Sequence, residues 1–332
     1  MDRRDFLNDV ACASLALGGA LGPAGRLLGQ TAINHPGRID VHHHYVPPFR
    51  EGPTWTWSPE IALEDMDRNN VATAILSGVS FPEPLNDGTP AARDLARRVN
   101  EYVATLAEQN PGRFGLFAAM PLADTDGSLN EIEHAFDTLK ADGVTIQSSA
   151  AEMWPGDPSQ MPVFEELNRR QTTVFLHPNT TPFCCTNPPG VPHNVSEFDN
   201  DVNRAVLSLM WNGVFTNYPD INFIVAHTGG TVPALAGRIQ DRVPEDRADL
   251  YPHGALDKMR RLYLEIGHAS FPWVVKAALE FSGPSRLLFG TDYPVESHEV
   301  TTRHIPALGL SADVLYALDR GNAERLFPRH RA

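Results

Sequence analysis

A chain of 332 residues, 42% of them hydrophobic, can bury a large core and shows no compositional mark of disorder. Its formal net charge of −14 excludes binding nucleic acid or an anionic membrane through a broad basic surface. An anionic small molecule stays admissible, because a pocket can be locally positive.

The first thirty residues differ from the rest. In MDRRDFLNDVACASLALGGALGPAG, Arg3 and Arg4 precede Asp5, Phe6 and Leu7, and an Ala/Leu/Gly-rich run follows. This resembles a twin-arginine export signal, which implies an exported, periplasmic protein with residues 1–32 as the signal segment. An ordinary disordered N-terminus is the competing reading. The apolar run is too short and too rich in glycine for a membrane span. Cys12 lies inside this segment, and Cys184 and Cys185 are adjacent, so the sequence offers no disulfide framework and no Cys-x-x-Cys metal spacing.

From Arg38 onward one pattern repeats: a short apolar run, a loop, then a helical segment. In chain order the reading is strand Ile39–Val46, strand Ala72–Val79, helix Ala91–Gln109, strand Phe114–Met120, helix Ser128–Ala141 and strand Gly143–Gln147. It continues with helix Met161–Arg170, strand Thr173–His177, helix Asn200–Asn212, strand Asn222–His227 and helix Thr231–Arg242. Strand Leu262–Ile266, helix Phe271–Glu280, strand Arg286–Thr291 and helix Ser311–Leu326 close the chain. Most strand candidates are continuous apolar runs, as parallel strands buried on both faces require. Eight β/α units predict an α/β protein, a (β/α)8 barrel. No G-x-G-x-x-G element follows the first strand, which argues against a doubly wound dinucleotide-binding sheet. No linker divides residues 33–332, which read as one domain. Glu51–Ser58 and Pro178–Pro192 read as long loops over one barrel face.

Several strand candidates end in a residue that can bind a metal or move a proton. In a barrel all these ends converge on one face. His42 and His44 lie two apart on the first strand and share a side, with His43 opposite. With His177 and Asp292 they supply three nitrogens and one carboxylate oxygen. That set suits one divalent cation, Zn2+ first and Mn2+ as the alternative.

Five fragments in this order, IDVHHHYVPP, VFLHP, VAHTGGTVPALAGRI, LLFGTDYP and GNAERLF, resemble the amidohydrolase superfamily. The likeness is to the amidohydrolase-2 branch that includes aminocarboxymuconate-semialdehyde decarboxylase, and it covers most of the chain after Arg38. The early segments YVPP, TWSPE and AILSGVSFP look most like the 6-methylsalicylate decarboxylase side of that branch. The resemblance implies His42, His44, His177 and Asp292 as metal ligands, and His227 as the residue acting on water or substrate. It implies Arg238 as a carboxylate-binding arginine serving a neighbouring subunit, hence a homodimer; an ordinary surface arginine is the alternative. A second substrate arginine of the semialdehyde decarboxylase has no counterpart in GPTWTWSPE. The fourth strand, GVTIQSSA, has no lysine to carboxylate, so a single metal is expected.

Trp57, Phe81, Trp154 and Phe183 fall in loops after strand ends and are candidates to wall a substrate, as is His268 after the seventh strand. Simple lid packing, or a capping role for His268, competes with that reading. The expected function is metal-dependent, non-oxidative decarboxylation of a salicylate-type or unsaturated carboxylic acid, with Asp292 both binding metal and transferring a proton. A hydrolase, lactonase or hydratase using the same site is the alternative, and a non-catalytic periplasmic binding protein a third.

Overall fold

The computed structural model describes residues 36–50, 55–78, 85–181 and 183–331. The expected signal segment and Phe81 lie outside the described residues. Eight parallel strands follow one another in chain order around a single sheet: β1 (Arg38–His44), β2 (Val71–Ser77), β3 (Phe114–Ala119), β4 (Gly143–Gln147), β5 (Thr173–His177), β6 (Asn222–Val225), β7 (Tyr263–Glu265) and β8 (Leu287–Leu288). Backbone bonds bring the two ends of the sheet together. Val41 N–H donates to Phe289 C=O at 3.1 Å, and Asp292 N–H donates to His42 C=O at 2.8 Å. The result is the (β/α)8 barrel that the eight apolar runs predict. The last strand is shorter than its sequence reading because, past Leu288, the chain meets β1 through irregular single bonds rather than a regular ladder.

The principal helices are α1 (Pro59–Arg68), α2 (Pro90–Gln109), α3 (Thr125–Glu133), α4 (Met161–Arg169), α5 (Glu197–Trp211), α6 (Val214–Asn217), α7 (Val232–Gln240), α8 (Ala255–Arg260), α9 (Pro272–Ser282), α10 (His298–Thr302), α11 (Ala312–Tyr316) and α12 (Asn322–Leu326). In α2, Thr89 caps the first turn and Pro90 starts it, while Ala92, Ala96, Val99, Val103 and Leu106 form the buried stripe. Helix α1 has no counterpart in the sequence reading. Its start, however, carries a cap signature: Ser58 accepts from Ile61 N–H, and Pro59 follows in the first turn.

The core has two parts. The larger lies between strands and helices. The smaller fills the barrel lumen with Ile39, Val41, Ile75, Phe117, Phe175, Ile224, Tyr263 and Leu288, and is closed by Ala323 and Phe327 of the C-terminal segment. Every strand except β4 contributes to it. Each fully buried side chain of this size stabilises by about 1.5–3 kcal/mol, so the lumen is a packed plug that leaves chemistry to the strand ends.

Adjacent Cys184 and Cys185 are joined as a disulfide in the loop after β5, contrary to the sequence expectation of no disulfide. Among the described residues no helix is long and apolar enough to cross a membrane.

Candidate metal centre

Strand β1 enters the site through a break in its own alternation. Val41 packs in the lumen, yet His42 also turns inward, with its ring 4.9 Å from that of Phe175. A register shift against β2 between Asp40 and His43 permits two successive inward residues. Beyond it alternation resumes. His43 faces away, against Tyr293 at 4.8 Å, and His44 returns to the site.

One nitrogen or oxygen from each of His42, His177, His227 and Asp292 lies within 4.8 Å of every other. His44 joins them, its Nε2 being 3.2 Å from His42 Nε2 and 2.7 Å from Asp292 Oδ1. All five residues are buried.

Hydrogen bonds at the far side of each ring decide where the lone pairs point. His42 Nδ1 faces the Glu265 carboxylate at 2.9 Å, His44 Nδ1 faces the Ser77 carbonyl at 3.2 Å, and His177 Nδ1 faces the Pro178 carbonyl at 2.6 Å. Each Nδ1 meets an acceptor and therefore carries the proton, which leaves the three Nε2 atoms as bare lone pairs. They converge on Asp292 Oδ1, which has no hydrogen-bond partner, and His177 Nε2 has none either. Lone pairs and a carboxylate this close repel unless a cation lies among them, so the donor set fits a divalent metal. His227 belongs to a different environment. Its Nε2 lies 3.5 Å from the other oxygen, Asp292 Oδ2, and His268 Nε2 lies 2.8 Å from that same oxygen. Asp292 thus turns one oxygen toward His42 and His44 and the other toward His227 and His268.

Without a cation the same crowding favours a proton: burial opposes a charge on His42, but Asp292 and Glu265 outweigh it and push its pKa up to about 10, so a metal takes the place of a proton on Nε2. Burial likewise opposes a charge on His227, and Asp199 and Asp292 raise its pKa to about 9. Burial alone would raise Asp292, yet His42, His44, His227 and His268 hold it well below the usual carboxylate range. Burial and the neighbouring His44 and His42 push His177 down.

Backbone conformation concentrates here too. His227, Thr228, His268 and Asp292 all have φ between 53° and 64° without being glycine. Such residues cost about 1–3 kcal/mol each and persist where surroundings over-determine them.

The centre forms the floor of a cleft of about 820 Å3, with Arg50, Trp55, His193 and Phe198 among its walls. His268 lines it, as the sequence suggested. Among the described residues the aromatic candidates Trp57, Trp154 and Phe183 do not. Trp57 packs toward Tyr45, with ring centroids 6.3 Å apart, and Trp154 and Phe183 pack on each other at 5.3 Å. Trp55, two residues earlier, takes the cleft position because Trp57 is drawn into the apolar core at the start of α1. Arg238 is exposed on α7, outside the lining of its own cleft. Sequence reasoning passed over Glu265, Arg50 and Asp199, whose Oδ1 is 3.6 Å from His227 Nδ1. A charged residue inside the apolar run LYLEIG was the available signal for Glu265.

Known proteins share this arrangement of chain. A 6-methylsalicylic acid decarboxylase from Penicillium expansum is 31% identical over 312 residues, covering 88% of this chain and 96% of the relative. The crystal structure of an amidohydrolase II superposes with a TM-score of 0.79 at 26% identity, covering 88% of this chain and all of the other. A dihydroxybenzoic acid decarboxylase from Polaromonas sp. JS666, solved with bound manganese and an inhibitor, superposes with a TM-score of 0.73 at 22% identity, covering 90% and 98%. Residues 39–329, from the first strand to the segment that plugs the barrel, match the amidohydrolase family, and the chain belongs to it.

Proposed function

We propose that this chain is a metal-dependent decarboxylase that releases CO2 non-oxidatively from an aromatic acid of the salicylate type. The observation that carries the reading is the division of Asp292: Oδ1 faces three imidazole lone pairs, and Oδ2 faces the rings of His227 and His268. His42, His44, His177 and Asp292 would hold one divalent cation. Zinc is our first assignment from the donor set, with manganese as the rival. When bound, the cation supplies positive charge that polarises the oxygens of an acid and its neighbouring hydroxyl.

The protein's own groups supply the rest. Arg50 brings a cation to the cleft wall, where a carboxylate can meet it. Trp55 and Phe198 offer flat apolar surface to a ring. Decarboxylation needs a proton at the ring carbon that bears the carboxylate. The C–C bond then breaks, its electron pair restores the aromatic ring, and CO2 leaves. The proton is held among Asp292 Oδ2, His227 and His268, the groups that can reach such a carbon from the floor of the cleft.

Three further assignments belong to this proposal. The chain is exported through its Arg3–Arg4 segment, which cell fractionation of an Arg3→Lys, Arg4→Lys variant tests. It works as a homodimer, with Arg238 serving a neighbouring copy. Light scattering on the purified protein tests the dimer, and mixing Arg238→Ala with Asp292→Asn chains tests for recovered activity.

The deciding experiment incubates metal-loaded protein with carboxyl-13C-labelled salicylate-type acids and, separately, with lactones. Labelled CO2 is the expected product. Acid formation from a lactone, with no CO2 from any acid, would establish a hydrolase instead.

A further inference from the structure

Glu265 is fully buried in β7, and a carboxylate at that depth is costly unless it is hydrogen-bonded. Three donors meet it. His42 Nδ1–H and the His227 backbone N–H both donate to Oε1, at 2.9 and 2.5 Å, and Gly267 N–H donates to Oε2 at 2.6 Å. Two glycines keep room for it. A Cβ on Gly290 would collide with Oε2, and one on Gly267 would come within 2.9 Å of it.

The two partners on Oε1 belong to different halves of the site. His42 is a member of the lone-pair set. His227 faces the other oxygen of Asp292 and stands at φ 55°, a conformation that something outside its own side chain must hold. A single oxygen atom therefore touches both.

We propose that Glu265 is a positioning residue that couples the metal centre to the proton-carrying histidine. Its charge keeps the proton of His42 on Nδ1, so Nε2 is offered to the cation as a lone pair, and enriches that ring as a donor. Its bond to the backbone of His227 holds the left-handed turn, so that the ring faces Asp292 Oδ2. Losing the carboxylate disturbs both at once. This rests on the metal-centre reading above.

The test uses the full chain loaded with Zn2+ and measures zinc affinity by chelator competition. The His42 ring is followed by 15N NMR on histidine-labelled protein, and kcat and KM at saturating zinc. Wild type should show His42 protonated at Nδ1 only. Glu265→Gln accepts no more than part of the three donated bonds, and should bind Zn2+ about 10–100-fold more weakly. With zinc saturating, its kcat should fall about tenfold or more while KM stays within about twofold, an order-of-magnitude expectation for such supporting groups. Gly290→Ala, which crowds Oε2 most and the Cβ of His42 at 3.0 Å while leaving every charge in place, should weaken zinc binding in the same direction. It serves where Glu265→Gln does not fold, and the wild-type spectrum serves in either case.

Zinc affinity and the ring proton are read without substrate. A protein that binds zinc and decarboxylates no acid therefore sinks the functional reading and leaves this test standing. Unchanged zinc affinity and kcat in a folded Glu265→Gln protein, or a wild-type His42 protonated at Nε2, would overturn the role of Glu265. A wild type that holds no cation would overturn both.

Discussion

Strand β1 carries two histidine–carboxylate clusters, one on each side. Toward the cleft stand His42, His44, His177 and Asp292. Away from it, Asp40, His43 and His298 also bring three ligand-type atoms within 4.8 Å of one another. The residue types are the same and both groups are buried, yet their charge balance differs. In the outer cluster His298 lies between two carboxylates, with Nδ1 2.6 Å from Asp65 Oδ2 and Nε2 3.3 Å from Asp40 Oδ2. Arg68 adds a cation 3.0 Å from Asp65, and Thr291 Oγ–H donates to Asp40 Oδ2 at 2.6 Å. Burial opposes charge on His298, but the two aspartates outweigh it and raise its pKa. His43 goes the other way, pushed down by burial to about 4. One imidazolium and one guanidinium therefore balance two carboxylates. The inner cluster is arranged otherwise: each Nδ1 points outward, to Glu265, Ser77 and Pro178, and each Nε2 points inward, where only a proton or a metal can offset Asp292. Composition alone does not make a metal centre. The direction in which the protons point, and an open cleft, do.

The contrast can be broken from either side. The largest effect is expected from Asp292→Asn, which keeps the shape and removes the charge on which the inner cluster converges. Metal content, by elemental analysis, should fall sharply, and kcat by about 10²–10⁴-fold. His298→Ala attacks the outer cluster and should leave metal stoichiometry at wild-type level while lowering stability by about 3–5 kcal/mol in urea unfolding, because buried Asp40 loses its cation and Asp65 keeps only Arg68. A loss of metal in that variant would dissolve the distinction between the clusters. Arg50→Ala should raise KM for the acid by about 10–100-fold, the worth of a charge-assisted hydrogen bond, with little change in kcat.

The smallest effect is a pH dependence of stability. The folded pKa of His298 is raised above its usual 6.5, so its contribution is complete below that value and is lost as pH rises through the folded pKa. Asp40 and Asp65 are depressed below 3.8: their contribution is present above that value and is lost as pH falls. In both, burial opposes the shift, and the hydrogen bonds and charge of His298, joined by His43 at Asp40 and Arg68 at Asp65, together outweigh it. Urea unfolding free energies should therefore decline on the alkaline side in wild type, and His298→Ala should flatten that decline.

The sequence made the barrel legible because each strand is an apolar run bounded by turn residues, and the register of parallel neighbours follows from that. His177 and Asp292 were legible as polar ends to apolar strands, and His42 and His44 through their spacing. That pair was read as facing inward, and it does, although alternation alone does not give that direction. Strict alternation from Val41 in the lumen would turn His43 inward, and only the register shift reverses it. Glu265 is marked locally only as a charge inside an apolar run, and its partner His42, 223 residues away, cannot be read from that mark. Trp55 and Trp57 differ only in which meets the core first, a matter of how the loop enters α1. The start of that helix was readable from Ser58 and Pro59.

The most direct test is an anomalous diffraction map, at the zinc or manganese absorption edge, of metal-loaded crystals soaked with a salicylate-type acid. One peak bounded by His42, His44, His177 and Asp292, with the acid beside His227 and nothing between Asp40, His43 and His298, is the predicted result. A peak in the outer cluster, or a metal held by His227 in place of His44, would contradict the account.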